Sequence, residues 1–287
     1  MDLPVRHVFR PESLDEALRL LADDPLARPI AGGTDLVVQM RDGRRLIATL
    51  VDIGPLGLAG IRERADGLEI GACTAMDVIA NDRRVRAVCP SLAEAAGLVG
   101  AWPIQCRATL GGNLANASPA ADTAPPLLVA DAELVVASRS GRRQVPVGAL
   151  FVGPGTTCLA PDELILAVHI PARRRSHERS IERFLKVGPR REQIIAVVSL
   201  AARLGMNNGV ISEVRLALGS VAATPVRAHA VERCLEGKRP TAALRQQACE
   251  ALQDDIAPID DVRAPAVYRR MAAAVLLDRV LGEAAGD

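Results

Sequence analysis

The segment from Thr109 to Asp122 combines two glycines with small side chains that can hydrogen-bond to a ligand. Gly111 and Gly112 tolerate positive φ angles and allow a ligand to approach the main chain closely. The polar side chains of the segment are small hydroxyls and amides, at Thr109, Asn113, Asn116 and Ser118. Successive N–H groups in a glycine turn form a concavity that binds anions without any lysine. The segment is therefore predicted to bind phosphate.

A shorter segment of the same character lies upstream, from Pro29 to Leu36. An apolar, strand-like approach leads into Gly32 and Gly33, and Thr34 and Asp35 follow. Neither segment carries the Gly-x-Gly-x-x-Gly pattern of dinucleotide folds or the Gly-Lys-Ser/Thr ending of a P-loop. A single Gly-Gly pair most often marks only a tight turn. Two such loops, however, can clamp one diphosphate between them.

Composition excludes several classes of protein. The chain has 287 residues, of which 49% are hydrophobic and 24% charged, as expected for a globular protein with two domains or one large one. Aromatic residues make up only 2%, so the core must be aliphatic and no stacked-aromatic surface for nucleic acid is available. The net charge of +1 provides no broad basic field. Nucleic-acid binding is therefore not expected.

The chain start and the cysteines indicate the compartment. Residues 1–11 lack the apolar stretch of a secretory signal, and no run of uncharged residues is long enough to span a membrane. The protein is therefore predicted to be cytoplasmic. Six cysteines contain no Cys-x-x-Cys pair, which argues against a zinc site, a clustered iron–sulfur site and a disulfide framework. We expect buried thiols. The four histidines show no metal spacing, so no metal site is predicted on this chain.

The first 170 residues predict two small α/β units. Ser13-Leu-Asp-Glu16 is a capping box that starts a helix. Ser91 is predicted to cap a second helix through Leu98. Strands are predicted at Val5–Phe9, Leu46–Ile53, Gly67–Gly71, Glu133–Ser138, Gln144–Val147 and Glu163–Ile170.

The second half has a different pattern. The polar segment Pro171–Ser180, with arginines at 173–175 and 179, is predicted to be a domain boundary and a solvated linker. The alternatives for its arginines are docking of a partner subunit and attraction of the phosphates of a nicotinamide nucleotide. Three strands are predicted at Ile181–Val187, Ile194–Leu204 and Val210–Leu218, the last two joined by the hairpin signal Asn207-Asn-Gly209. Helices follow at Arg227–Glu236, Thr241–Leu252 and Ala264–Leu281. We expect a three-stranded antiparallel sheet covered by three helices.

The two glycine segments resemble a known pair of motifs. Ala31-Gly-Gly-Thr-Asp-Leu36 and Ala108-Thr-Leu-Gly-Gly-Asn-Leu114, followed by Ala117-Ser-Pro-Ala-Ala-Asp122, resemble the FAD-binding motifs of the flavoprotein (medium) subunit of molybdenum hydroxylases, such as xanthine and carbon monoxide dehydrogenases. The resemblance extends through Glu163-Leu-Ile-Leu166 and Ile170-Pro171 to Phe184-Leu-Lys-Val-Gly-Pro-Arg-Arg191. It implies an α+β fold with a PCMH/VAO-type two-part FAD-binding domain at 1–175, with subdomains of about 1–55 and 56–175. A CO dehydrogenase flavoprotein-like C-terminal domain would occupy 176–287.

The resemblance also implies which residues contact FAD. Three of them have a competing structural interpretation: Asp122 as the N-cap of a helix from Thr123, Lys186 as a solvated strand lysine, and Ile165 as an ordinary core residue. The full implied set is Pro29, Ile30, Ala31, Gly32, Gly33, Thr34, Asp35, Leu36, Thr109, Leu110, Gly111, Gly112, Asn113, Asn116, Ser118, Asp122, Ile165 and Lys186. No catalytic acid, base or nucleophile is implied, because the flavin performs the redox chemistry.

The implied function is that of an oxidoreductase subunit. Electrons would pass from 2Fe–2S clusters on a small iron–sulfur subunit through FAD to an external acceptor, and the molybdopterin cofactor would lie on a large subunit, in a dimer of heterotrimers. Two alternatives remain: a self-sufficient flavin-dependent oxidase, which the low aromatic content disfavours, and a flavin-free structural subunit, which the intact glycine loops disfavour. The substrate, and the choice between NAD, oxygen and quinone as acceptor, stay open.

Overall fold

The N-terminal part is a small parallel sheet with two helices. The computed structural model describes residues 3–173, 177–190 and 193–286. Three parallel strands lie in the order β1-β3-β2. The predicted cap at Ser13 is confirmed, because Glu16 N donates to Ser13 Oγ, while the Glu16 carboxylate accepts from Glu12 N rather than from Ser13 N. The elements are β1 His7–Phe9, α1 Leu14–Asp23, β2 Arg28–Ile30, α2 Leu36–Arg41, β3 Thr49–Asp52 and a 3-10 turn Gly54–Leu56.

An antiparallel sheet with short helices forms the next part. Its five strands lie in the order β4-β5-β10-β6-β7, which places β10 at the centre. The elements are β4 Ile61–Arg64, β5 Gly67–Gly71, α3 Met76–Asn81, α4 Arg83–Val88, α5 Pro90–Gly97, α6 Trp102–Gln105, α7 Leu110–Ala115, α8 Ala124–Val129, β6 Glu133–Ser138, β7 Gly141–Pro146, α9 Val147–Leu150, β8 Phe151–Gly153, β9 Thr156–Thr157 and β10 Leu164–Pro171.

The start of α5 differs from the prediction. The helix begins at Pro90, and Ser91 lies inside its first turn rather than at the cap. Proline suits the first helical position because it has no N–H to leave unpaired. The Ser91 hydroxyl instead donates to Glu182 Oε1 at 2.7 Å, in the C-terminal part of the chain.

The C-terminal part is an antiparallel sheet covered by helices. The predicted turn is confirmed: Asn208 and Gly209 have φ angles of 50° and 72°. The sheet has four strands rather than the predicted three, because Val226 and Arg227 pair with Leu218 and Ala217. Two residues are too few to show a strand pattern, and the prediction placed the second of them in a helix. The elements are β11 Arg179–Val187, β12 Val198–Asn207, β13 Val210–Gly219, β14 Val226–Arg227, α10 His229–Leu235, α11 Ala242–Asp255 and α12 Ala266–Ala285.

The two halves of the chain share one apolar core. The largest cluster of buried side chains fills the second part around Leu92, Leu127 and Val168. It also includes Phe184 and Ala201 from the C-terminal sheet. Burial of apolar surface across this junction holds the halves together, since removal of such surface from water is the main favourable contribution to association.

The predicted linker is only partly solvated. Arg173 is partly buried and forms an ion pair with the buried Glu182. Arg179 donates to the main-chain oxygen of Glu283 at the end of α12. The prediction of a solvated linker is therefore wrong for Arg173. Its ion pair with Glu182 depends on the folded structure, and the sequence alone does not show which carboxylate lies beside it. Arg174 and Arg175 lie outside the described residues.

Two further predictions concern the burial of the cysteines and the presence of membrane-spanning helices. The expectation that the cysteines are buried is confirmed for Cys89 and wrong for the exposed Cys158, and the other four are partly buried. The position of Cys158 just after the two-residue strand β9 carries no pattern that would indicate exposure. Across the described ranges, no helix combines the length and hydrophobicity needed to traverse a bilayer.

Candidate functional site

The two glycine loops lie on opposite sides of one cleft. The cleft has a volume of about 680 Å³ and is closed on a third side by residues 190 and 193–195. Most of the residues predicted to bind FAD line it: Pro29, Ile30, Ala31, Gly32, Gly33, Thr34, Asp35, Leu36, Thr109, Gly112, Asn113, Asn116, Ser118 and Asp122. The two loops, which are far apart in sequence, thus meet around a single space, and Gln39 and Asn116, 77 positions apart, are hydrogen-bonded there.

The two loops approach each other closely at Gly32. A Cβ atom built on Gly32 would lie 1.8 Å from the main-chain oxygen of Arg107, immediately before the second loop. No real side chain tolerates that separation, so the loops can touch only because this residue is glycine. The adjacent Gly33 is required for a different reason, its left-handed φ of 72°.

The first loop presents unpaired main-chain donors. Within the described part of the chain, the N–H groups of residues 32–35 donate no hydrogen bond. The turn is stabilised by one main-chain hydrogen bond, which Val37 N donates to the Gly33 oxygen. Neighbouring free N–H groups in a turn form an anion-binding concavity. This loop therefore has the donors that a diphosphate needs.

The main-chain N–H groups around the second glycine pair donate hydrogen bonds within the protein. Gly111 N donates to the Ala72 oxygen at 2.8 Å, and Gly112 N donates to Thr109 Oγ1 at 3.2 Å. Asn113 N donates to the Thr109 oxygen as an ordinary helical bond of α7. Because these three N–H groups already have acceptors, the glycine turn of the second loop offers side chains and shape to a ligand rather than a row of free amides.

Two amide side chains of the second loop are held in fixed orientations. The Asn113 Oδ1 atom accepts a hydrogen bond from the Thr123 hydroxyl at 2.6 Å. The Asn116 Oδ1 atom accepts one from Gln39 Nε2 at 2.8 Å. Gln39 lies on α2, so this bond is a second link between the loops. In both asparagines the amide nitrogen remains as the donor for a ligand.

Asp122 and Lys186 form a buried ion pair at the end of the cleft. Lys186 Nζ donates to Asp122 Oδ2 at 2.6 Å and to the Leu98 oxygen at 3.0 Å. Asp122 is 6% exposed, and its Oδ1 atom has no hydrogen-bond partner among the described residues. Burial raises the pKa of Asp122 to about 6, against the opposing effect of Lys186. A buried acceptor without a donor is a position that a bound ligand can satisfy.

These contacts decide two of the competing interpretations. Helix α8 begins at Ala124 with Thr123 as its cap residue and no side-chain cap bond, so the N-cap interpretation of Asp122 is wrong. The side chain of Lys186 is only 3% exposed, so the solvated-lysine interpretation is also wrong. Ile165 is a buried residue of β10, as the interpretation as a core residue expects.

Residues of the second half close the remaining side of the cleft. Gln193 N donates to the Gly100 oxygen at 3.1 Å, and Arg190 Nη2 donates to the Gln193 oxygen at 2.8 Å. Gln193 has a left-handed φ of 52°, which lets the chain turn back toward α6. Arg191 lies outside the described residues. The cleft is therefore built by all three parts of the chain.

Four predicted residues do not line the cleft, and several lining residues were not predicted. Leu110 and Gly111 are buried in the first turn of α7, Ile165 is in the core, and Lys186 is paired with Asp122. The missed lining residues are mostly small or aliphatic and carry no signal for binding, except for the arginines among them. They are Arg28, Arg45, Val99, Gly100, Ala101, Ile104, Ala108, Ala115, Ala120, Ala121, Arg190, Gln193, Ile194 and Ile195.

The cleft fits a dinucleotide with a diphosphate. It combines free N–H groups in the first loop with an unpaired buried carboxylate oxygen beyond the second. Asp35 also lines it, and burial raises the pKa of that carboxyl. Carboxylates of this kind accept hydrogen bonds from sugar or ribityl hydroxyls. In the described ranges, no group of three His, Cys, Asp or Glu side chains is placed to hold a metal ion.

Comparison with known proteins gives a consistent result. Residues 4–173 match the family model of the FAD binding domain in molybdopterin dehydrogenase, and residues 183–284 match that of the CO dehydrogenase flavoprotein C-terminal domain. The xanthine dehydrogenase FAD-binding subunit of Escherichia coli O157:H7 is 33% identical over 277 residues, covering 96% of this chain and 94% of the relative. The carbon monoxide dehydrogenase medium chain of Hydrogenophaga pseudoflava is 30% identical and covers 98% of both chains. A solved structure of the Hydrogenophaga pseudoflava enzyme, lacking the Mo-pyranopterin moiety, superimposes with a TM-score of 0.94 at 30% identity, over 99% of this chain and 98% of that one.

Proposed function

The chain belongs to the family of FAD-binding subunits of molybdenum hydroxylases, which are oxidoreductases, and from that premise we propose that it carries electrons from partner iron–sulfur clusters through FAD to an external acceptor. The observation that carries the proposal is the cleft, where free main-chain donors of one loop face an internally hydrogen-bonded second loop and a buried carboxylate. The 2Fe–2S clusters belong to a small subunit and the molybdopterin cofactor to a large one, in a dimer of heterotrimers.

The chain's own residues bind and orient the cofactor. The N–H groups of residues 32–35 hold the diphosphate, and Asn113 and Asn116 donate from their fixed amides. The unpaired Oδ1 atom of Asp122 accepts a hydrogen bond from a cofactor hydroxyl, while Lys186 keeps that carboxylate ionised and oriented. Bound FAD supplies the redox chemistry. No acid, base or nucleophile of this chain is assigned to a chemical step.

An apolar face on α12 supports the assignment of a partner subunit. Val267, Tyr268, Met271 and Val275 are exposed at helical spacing. Together with Leu185, Val187 and Arg279, three of them border a groove of about 270 Å³. Clustered exposed apolar side chains mark interaction sites on soluble proteins. The groove borders β11, the strand whose Lys186 side chain pairs with Asp122 in the cofactor cleft.

The division of the chain and its location are part of the same proposal. We place the boundary between the FAD-binding part, residues 1–175, and the C-terminal part, residues 176–287, where β10 ends and β11 has not begun. We assign the protein to the cytoplasm, where the subunits of the complex would assemble.

The proposal is tested by reducing the flavin through a partner. The chain is expressed alone, loaded with FAD and mixed anaerobically with its iron–sulfur subunit, which has been reduced chemically beforehand. We expect the flavin absorbance to bleach on mixing. We also expect no bleaching when the chain alone receives an aldehyde or a heterocycle. Bleaching by such a substrate without any partner contradicts the subunit assignment and supports a self-sufficient oxidase.

A further inference from the structure

Three arginines line the cleft, and they differ in how their side chains are held. Arg28 Nη1 donates to the oxygens of Pro25 and Ala27, both at 2.8 Å, so its guanidinium is turned toward its own backbone. Arg190 Nη2 donates to the Gln193 oxygen. Arg45 lines the cleft without a side-chain hydrogen bond or ion pair to any residue in the described ranges. Its guanidinium therefore keeps its five donors for a ligand.

A diphosphate needs positive charge that the glycine loops do not contain. The free N–H groups of residues 32–35 are neutral donors. The charge of Lys186 is matched by Asp122, and Asp35 adds a further carboxyl to the cleft. Arginine is suited to the task because its planar fork binds phosphate with two parallel hydrogen bonds.

The position of Arg45 places it beside the first loop. Its main-chain N–H donates to the Gln39 oxygen at 3.2 Å, so the backbone folds back along α2. The side chain of the same Gln39 donates to Asn116 in the second loop. The Arg45 backbone is thus held where the two loops are linked, and the residue lines the cleft.

We propose that Arg45 is a phosphate-binding residue that closes over the diphosphate of the dinucleotide and neutralises its charge. The inference rests on the proposed FAD site and adds a residue to it that neither glycine motif contains. A cation that reaches an anionic ligand from outside the loops makes affinity salt-dependent, because screening weakens charge interactions.

The test compares ligands with and without phosphate. The flavin-free chain is titrated calorimetrically with FAD, ADP, adenosine and riboflavin at low and high salt. For Arg45→Gln we expect affinity for FAD and ADP to fall roughly ten- to a hundredfold, with a weaker salt dependence and little change for adenosine and riboflavin. Arg44→Gln is the matched control, because Arg44 is exposed, pairs with Asp42 at 2.6 Å and does not line the cleft.

A second measurement uses the unmodified protein, so it does not depend on the folding of a variant. Phenylglyoxal labels accessible arginines, and mass spectrometry locates the label. We expect ADP and FAD to protect Arg45 and to leave Arg44 labelled. Unchanged ADP affinity in Arg45→Gln, an equal loss for adenosine, or labelling of Arg45 in the presence of saturating FAD overturns the inference. If the unmodified chain binds no FAD, the FAD site itself is wrong and the inference falls with it.

Discussion

The two glycine loops resemble each other in sequence but present different surfaces. Residues 32–35 of the first loop keep their main-chain donors free, whereas the N–H groups of Gly111, Gly112 and Asn113 in the second loop are bonded within the protein. The first loop can recognise a ligand through its backbone, and the second through its side chains. The two Gly-Gly pairs therefore differ in whether their main-chain donors are available to a ligand.

The glycines also serve different physical purposes. Gly33 is needed for its backbone conformation, with a φ of 72°. Gly32 and Gly111 are needed for contact, because a Cβ atom would lie 1.8 Å from the Arg107 oxygen and 2.7 Å from the Ala72 Cβ, respectively. Gly112 is the least constrained, since its Cβ would meet only the Thr109 hydroxyl, at 2.9 Å. Substitutions at these positions should therefore have very different effects.

The largest effect is expected at the joint between the loops. Gly32→Ala forces a methyl group into the Arg107 carbonyl, so the loops must separate. We expect loss of bound flavin and a decrease of about 3 kcal/mol or more in the free energy of unfolding. The flavin-to-protein ratio and denaturant unfolding measure these. Gly153→Ala is the control, because a Cβ there meets open space. Full flavin occupancy in Gly32→Ala would show that the close approach of the two loops at Gly32 is not required for flavin binding.

The next effect distinguishes recognition by a side chain from recognition by the backbone. Asp122, with its pKa raised to about 6, is ionised at pH 7 and mostly protonated at pH 5. A ligand hydroxyl bonds better to the ionised form, so we expect FAD affinity to fall about tenfold from pH 7 to pH 5. Asp122→Asn should remove most of this dependence. Titrations with FAD across this range decide the matter, and an identical pH profile in the variant excludes Asp122 as its source.

The same carboxyl has the opposite effect on the flavin-free protein. Its folded pKa lies above the ordinary value of 3.8, so the ionised form destabilises the fold above about pH 6. As the pH falls from 6 toward 3.8 this penalty is relieved, and the contribution of Asp122 to stability rises. We expect Asp122→Asn to be less sensitive to pH than the parent in thermal unfolding without flavin. Undiminished pH sensitivity of the variant between pH 6 and pH 3.8, the range in which Asp122 itself contributes, contradicts the raised pKa.

A smaller effect is expected within the second loop. Gly112→Ala crowds Thr109 Oγ1 and disturbs the cap of α7, which is worth about 1 kcal/mol. Because the N–H of Gly112 does not face a ligand, we expect the variant to retain flavin. Thermal unfolding and the flavin-to-protein ratio are compared with those of Gly32→Ala. Loss of flavin as complete as in Gly32→Ala shows that the two loops are equivalent after all.

The smallest effect is expected at the side-chain link. Gln39→Ala removes one hydrogen bond to Asn116 and should cost about 1 kcal/mol or less. We expect FAD affinity to weaken by less than tenfold. A double-mutant cycle with Asn116→Ala measures the coupling between the two residues. Coupling indistinguishable from zero means that the Gly32 contact alone holds the loops together.

Local patterns in the sequence predicted most of the fold. The helix cap at Ser13, the turn at Asn208 and Gly209, and the alternation of apolar residues in the long strands depend on neighbouring residues, so the chain displays them directly. The fourth strand, β14, is too short to leave such a pattern. Ser91 illustrates a different limit, since its partner Glu182 lies 91 positions away.

The site was predictable in its motifs but not in its connections. The two loops were found because glycine pairs and small polar residues stand out in an aliphatic sequence, and Asp122 was indicated by the family resemblance. The pairing of Lys186 with Asp122 depends on a contact 64 residues apart, as does the closure of Gln193 on Gly100 at 93 residues. Whether a backbone N–H is free or already bonded is also invisible in sequence, and this property separates the first loop from the second.

The ion pair between Asp122 and Lys186 has a consequence for inheritance. One half of the chain contributes the carboxylate that faces the cleft, and the other contributes the ammonium that matches its charge. A recombinant protein in which either half is replaced by an unrelated domain would keep one buried charge without its counter-charge. That loss would lower the free energy of unfolding by several kcal/mol. Recombination within this family should therefore preserve the two halves as a matched set, and surviving hybrids should carry changes at both positions together.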